Sequence, residues 1–297
     1  MSEQAVSELN TIYADYWEYH LETHPQSATY LGDHRYDDRL DDYSAEAYNA
    51  SIDKYMDYLD SVSGYDPKIL DGQDRLNLLL FRRLLETRIE GARFRPCLTP
   101  ISQQGGPHLS FPQIVSYHPF RTVQDYENYI TRLDAFPAQI DQIIACMEEG
   151  MREEIVQARV VVEKVVPQLE DLIVDEPEKS PLYQPLSAFS DEIRESERAR
   201  IRGEVERAIM ESVVPAYQEL LVFIGNKYLG SCRDDAGIWA LPDGEDRYAY
   251  DIRHYTTTDM SPSEIHDTGL RELERIRGEM EEIKAKVAFQ GSLTEFF

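Results

Sequence analysis

From Val6 to His24 the positions Leu9, Ile12, Tyr13, Tyr16, Trp17 and Leu21 recur at spacings of three and four. That spacing predicts one face of an amphipathic helix, closed by Pro25. Ser44 is an N-cap for a second helix running to about Val62. A third helix is predicted from about Asp71 to Glu90, with Leu76, Leu79, Leu80, Leu84 and Leu85 as its buried stripe and Gly91 as its stop. Further helices are expected over Thr122 to Leu133, Pro137 to Met151 and Ala158 to Leu172, followed by a long one from Asp191 to Leu229. Pro215 should kink or split that last one. Ser261-Pro262-Ser263-Glu264 opens the final long helix, with Ser261 as N-cap, Pro262 at the first helical position and Glu264 closing a capping box. Leu270, Leu273, Ile276, Met280, Ile283 and Val287 form its apolar stripe. Strand signals are short and few, around Ile114 to Tyr117 and Gly237 to Leu241. The expected fold is therefore all-α, an irregular multi-helix array with long Pro-rich loops and at most a small β element.

Charge narrows the partners. The 297 residues include 56 acidic and 30 basic side chains, a formal net charge of −26. Such a chain lacks the clustered Lys and Arg that a nucleic-acid backbone or an anionic membrane requires, so neither is an expected partner. No uninterrupted apolar run reaches the length of a membrane span. The N-terminus shows no signal-peptide pattern, and Cys97, Cys146 and Cys232 form no C-x-x-C pair, so a cytoplasmic location is expected.

Chemistry-bearing motifs are scarce. None of the seven histidines is followed by Glu, so the H-E-x-x-H zinc-peptidase motif is absent. His20 and His24 share a helix face but lack a third ligand. The acidic run Asp33, Asp37, Asp38, Asp41, Asp42 does not have EF-hand spacing. There is no G-x-S-x-G and no phosphate-binding glycine pattern. No metal site and no catalytic residue is assigned to this chain.

Two loops stand apart. Gln103 to Phe120 is long, uncharged and rich in Gly, Pro, His and aromatics within a heavily charged chain; Gly105, Gly106 and His108 lie in it. Gly237 to Asp259 contains the turn Leu241-Pro242-Asp243-Gly244, with Trp239 before it and Tyr248 after it. Trp239 is expected to be largely buried. The turn is expected to border a cleft with the Pro-rich loop, because such segments commonly form pocket rims.

The run W-x-L-P-D-G-x-x-x-Y over Trp239 to Tyr248 is followed by T-T-T-D-M-S-P-S-E-I-H-D-T-G-L over Thr256 to Leu270 and E-x-x-R-I-x-x-E-M over Glu272 to Met280. Together with HPQSATYLGDHRYDDRL from His24, HPFRTVQDYENYITRL from His118 and VVVEKVVPQL from Val160, this run resembles the bacterial domain-of-unknown-function-885 family. Arg247 departs from it, where the family often has a second aromatic. The family is similar to helical zinc metallopeptidases of about twice this length, with H-E-x-x-H in the C-terminal half. The resemblance therefore implies one helical region, 1–297, forming the N-terminal half of a larger two-lobed peptidase-like protein. Zinc, a peptide substrate and a C-terminal catalytic half as partner are implied only for the whole protein. A self-sufficient acidic helical module that binds a protein without catalysis is the alternative.

Gln290-Gly291 should end the last long helix, and Ser292 with Glu295 forms a second capping box that opens a new one. Phe296 and Phe297 are the first apolar residues of that new helix. The chain is therefore expected to be incomplete, with an apolar patch left open for the part that follows.

Overall fold

The computed structural model describes residues 2–297. It is helical, and no strand occurs among the described residues; two isolated bridges, Ser102 with Gly105 and Ala158 with Arg233, are the whole β content there. Both expected strand segments are 3-10 turns instead, Phe111–Ser116 and Ile238–Ala240. Each lies beside a proline or glycine turn and has no neighbouring strand to pair with.

The chain divides into two units, residues 1–242 and 243–297. The first begins with α1 (Ser2–Thr23), α2 (Pro25–Tyr30), α3 (Ala45–Ser63) and α4 (Gly72–Ala92). Pro25 closes α1 and also takes the first position of α2, where its missing N–H costs nothing. Ser44 caps α3, its side chain accepting from the Ala47 N–H. Leu9 of α1, Tyr55, Tyr58 and Val62 of α3, and Leu78, Phe81 and Leu85 of α4 enclose one hydrophobic cluster. The leucine stripe expected on α4 is corrected here: Leu76, Leu79, Leu80 and Leu84 are exposed, and the buried face is Leu78, Phe81 and Leu85. α4 carries leucines around most of its circumference, so periodicity did not single out a face. Nor does the helix stop at Gly91, which is buried inside it.

A larger core forms around α6 (Val123–Arg152), after the one-turn α5 (Pro107–Ser110). α6 is one helix, where a break before Pro137 was expected. Pro137 removes one N–H···O=C bond, but Phe136, Ile140 and Ile143 beside it are fully buried, and their packing outweighs that loss. α7 (Arg159–Leu172) and a long segment, Glu195–Ser231, pack around it. That segment runs α8 (Glu195–Ala208), a π turn Ile209–Val213, α9 (Val214–Phe223), a second π turn Ile224–Tyr228, and α10 (Leu229–Ser231). The first π turn immediately precedes Pro215, the residue expected to disturb the helix; a local i→i+5 pattern absorbs a missing donor without breaking the rod. By length and apolar composition this segment could cross a membrane, but half of its most apolar window is buried inside the fold, as in a core helix.

Two stretches that are far apart in sequence meet at Arg132 of α6, which is fully buried. Its Nε donates to Arg39 O at 2.7 Å, and its Nη2 donates to Thr29 Oγ1 at 2.7 Å, Tyr36 O at 3.1 Å and Pro25 O at 3.2 Å. Thr29 Oγ1 in turn donates to the buried Asp37 at 2.6 Å. His118 Nε2 faces Asp125 O at 2.8 Å, which can only accept, so the ring proton sits there and Nδ1 accepts from Arg132 Nη1 at 3.2 Å. A buried guanidinium is tolerated only when its donors are met, and here backbone carbonyls of the 25–39 segment meet most of them.

The second unit holds α11 (Gly244–Thr256), α12 (Pro262–Lys286) and α13 (Leu293–Phe296). Both expected capping boxes form, Ser261 with Glu264 and Ser292 with Glu295. The end of α12 differs from the expectation. The helix stops at Lys286, and the left-handed residue that follows is Ala288 at φ 57°, with Gly291 further on. No residue of α12 is buried. Phe297 is 81% exposed.

Candidate functional site

The segment leaving α10 is pinned to the start of α7 by Arg233. Its N–H donates to Gln157 O at 3.3 Å, and its own carbonyl accepts from the Arg159 N–H at 2.8 Å. The guanidinium donates to Val156 O at 3.1 Å and to the carbonyls of Asp235 and Gly237, both at 2.6 Å. Asp235 then organises the next four residues. One carboxylate oxygen accepts from the Gly237 N–H at 2.8 Å, the other from Trp239 Nε1 at 2.9 Å. These two hydrogen bonds hold the Asp235 carboxyl below its usual pKa, the backbone donor contributing most.

Trp239 is therefore not a core anchor. It is 68% exposed, correcting the expectation of burial. Its ring folds back over Gly237, where a Cβ would lie 2.1 Å from two ring carbons, so only glycine leaves room. The indole is held by a carboxylate on one edge and by the backbone beneath it, and it presents a large apolar surface to solvent. The spacing D-x-G-x-W carries a readable signal, an Asp two residues before a Gly, which favours an Asx turn; Asp235 and Arg233 were not singled out from sequence.

The Pro-rich loop meets α7 elsewhere. Ser102 and Gly105 form a tight turn, leaving Gln104 and Gly105 exposed at its tip. Gly106 adopts φ 131°, and a Cβ there would lie 2.9 Å from Pro100 O. His108 is fully buried rather than lining open space. Its Nε2 lies 3.2 Å from Gln168 Oε1, and Gln168 Nε2 donates to Gln103 O at 3.1 Å. Its Nδ1 has no hydrogen-bond partner, and burial pulls its pKa below the ordinary imidazole value. Phe111 stacks on Phe136 of α6 with centroids 3.9 Å apart, fixing the loop to the core.

Both segments thus rest on α7. Arg233 sits at Ala158 and Arg159, and His108 sits at Gln168, ten residues along. At 1.5 Å per residue that is about 15 Å. The structure brings Gly105, Gly106 and His108 together as one group and Trp239 with Asp235 and Gly237 as another. Leu241 is half-buried and Pro242 exposed at the end of the first unit. Asp243 opens the second unit in the left-handed region at φ 52°, where its carbonyl accepts from the Arg247 N–H at 2.8 Å and Gly244 is buried at the start of α11. Tyr248 is exposed on α11.

The donor set does not fit zinc. Among the described residues, no three His, Cys, Asp or Glu side chains are placed to hold a metal ion. His20 and His24 lie with ring centroids 4.4 Å apart, but His24 Nδ1 is turned to His20 O at 3.1 Å and Thr23 Oγ1 at 3.0 Å. Burial pushes the Cys97 and Cys232 thiols up to about 11, so they stay protonated near neutral pH. No catalytic step through a metal is derived for this chain.

A family model described as bacterial protein of unknown function (DUF885) matches residues 25–297. No curated protein sequence matches. Among solved structures, one described as "the putative lipoprotein from Colwellia psychrerythraea" superposes with a TM-score of 0.87 at 22% identity, covering 98% of this chain and 53% of that one. At that identity the likeness shows the fold alone. This chain spans about half the length of the solved neighbour.

Proposed function

This chain belongs to the bacterial DUF885 family, and from that premise we propose that it is the N-terminal, non-catalytic half of a zinc-dependent peptidase and supplies one wall of the substrate cleft. The supporting observation is the asymmetry of the superposition, nearly all of this chain against 53% of the neighbour. A fold that accounts for only half of a longer chain leaves room for chemistry elsewhere, and the residues here hold no metal-binding set. In the whole protein, zinc would polarise the peptide carbonyl and activate water.

The contribution of this half is binding. Trp239 offers a rigid aromatic surface whose orientation is fixed before any ligand arrives, so little rotamer freedom is lost on contact with an apolar peptide side chain. Asp235 and Gly237 set that orientation. The rival reading, a self-sufficient acidic protein-binding module, draws on the first unit's two hydrophobic clusters.

The test compares the 297-residue chain with the longer product of the same reading frame. Zinc content and cleavage of quenched fluorescent peptides are measured for both. The longer product should bind zinc and cleave, and Trp239→Ala in it should raise KM several-fold with little change in kcat. A frame that closes after Phe297, or a longer product without peptidase activity, overturns the reading in favour of the binding module.

A further inference from the structure

α12 shows an unusual imbalance. It is 25 residues long, well capped, and has no buried residue. Yet Leu273, Ile276, Met280, Ile283 and Val287 follow each other at spacings of three and four and so lie on one narrow stripe. Leu273 is 65% exposed, and Ile276, Ile283 and Val287 are exposed as well. At 100° per residue, Glu272 and Glu279 border one edge of the stripe, and Arg277 and Lys284 border the other. Arg275 holds the acidic edge in place, bonding Glu272 at 2.8 Å and Glu279 at 2.7 Å. An amphipathic helix gains most of its stability by burying such a stripe, and this one is uncovered.

We propose that this stripe docks a helix from the part of the protein that corresponds to the unmatched remainder of the solved neighbour, a partner with its own aliphatic stripe, a basic edge facing Glu272 and Glu279, and an acidic edge facing Arg277 and Lys284. The inference rests on the half-chain reading and goes beyond it by naming the seam. Two observations select this occupant. The match to the neighbour covers 98% of this chain, and the neighbour continues for roughly as much chain again. A second copy is a poorer fit. The stripe from Leu273 to Val287 is about 22 Å long, and two copies pairing along it would bury on the order of 1,000 Å², below the range of stable interfaces between separate chains. A helix in the same polypeptide is held at high effective concentration and does not need that area.

The experiment is hydrogen–deuterium exchange on peptides spanning 270–287, in the 297-residue chain and in the longer product, with sedimentation of the shorter chain over a range of concentrations. The expected result is fast exchange in the short chain, slowing by a factor of ~100 or more in the long one. In the long chain Ile276→Asp should restore fast exchange there while peptides from α6 stay protected. Should that variant fail to fold, Glu279→Arg, which reverses only an edge charge, should raise exchange across 276–287 by a smaller factor. A closed reading frame removes the half-chain reading and this inference together. A longer product that cleaves peptides but exchanges as fast at α12 as the short chain overturns this inference alone. So does a short chain that dimerises and is split by Ile276→Asp.

Discussion

Arg132 donates through Nη2 to the hydroxyl of Thr29 at 2.7 Å, joining side chains 103 positions apart in the sequence. Together with Arg132 Nε on Arg39 O and Nη1 on His118, this contact ties the segment after α1 to the middle of α6. The segments beginning at His24 and at His118 carry two of the stretches that resemble the DUF885 family, and their shared role here is to close one buried polar cluster.

Removing that guanidinium should be costly. Arg132→Met leaves the carbonyls of Pro25, Tyr36 and Arg39 without a donor and the buried Asp37 without its nearby cation. A loss of about 3–5 kcal/mol is expected, the usual range for breaking a buried charged network. Urea denaturation followed by far-UV circular dichroism measures it, and a midpoint within error of the unsubstituted chain would show that the cluster contributes no stability.

The same cluster should make stability depend on pH in a defined direction. Burial holds the His118 pKa at about 4, below its ordinary value of 6.5, with Arg132 acting in the same sense. The unfolded chain therefore binds a proton that the folded chain refuses between those two values, and stability falls as pH drops from about 6.5 towards 4. Burial also pulls His20 down to about 4, so it adds to the slope. His118→Gln removes one of the titrating groups and should flatten the dependence of the urea midpoint on pH between 6.5 and 4.5. An unchanged slope would mean that His118 is protonated alike in both states.

Two glycines should respond to alanine with opposite signs. At Gly150 a Cβ would lie 2.7 Å from Ile155 O and 2.9 Å from Leu98 O, both backbone atoms that cannot swing aside. Gly203 lies exposed in α8 with open space around it. Gly150→Ala should destabilise by about 2–3 kcal/mol through overpacking, and Gly203→Ala should stabilise by about 0.5–1 kcal/mol through helix propensity. Thermal melts of the two variants test the pair, and a shift of the same sign in both would contradict the local geometry.

The Asp235 contact gives a fluorescence prediction. Asp235→Ala removes the acceptor for Trp239 Nε1 and for the Gly237 N–H, freeing the indole. In a Trp17→Phe background the steady-state anisotropy of the remaining tryptophan should fall, with the melting temperature nearly unchanged because the segment is exposed. Equal anisotropy with and without Asp235 would show that the ring is held by something other than this carboxylate.

What the sequence disclosed depended on the range of the interaction. Helix starts were legible because Ser44, Thr122, Ser261 and Ser292 act within three residues of themselves. Pro137 was misread because its local cost is visible in sequence whereas the burial of Phe136 and Ile140 is not. Arg132 was invisible for the complementary reason. Its partners are carbonyls at positions 25 to 39, and a carbonyl belongs to every residue type. Trp239 was placed in the core on its apolar character, although the Asp and Gly preceding it at even spacing are what place it on the surface.

The two π turns in the long segment after residue 195 have a consequence for how this chain tolerates length changes. A π turn holds one residue more than the α turn it replaces, and each residue of α-helix rotates the face by 100°. Losing a single residue within Ile209–Val213 would let that stretch close into ordinary α-helix while restoring the conflict at Pro215. It would also turn Val214–Phe223 by about 100° against α6, taking the fully buried Tyr217 and Leu220 off the core. A one-residue deletion a few positions earlier, in exposed α8, would meet the same register. The helix from Glu195 to Ser231 therefore has a fixed residue count although its sequence is free at many exposed positions, and frame-preserving single-codon deletions across it should be selected against far more strongly than substitutions.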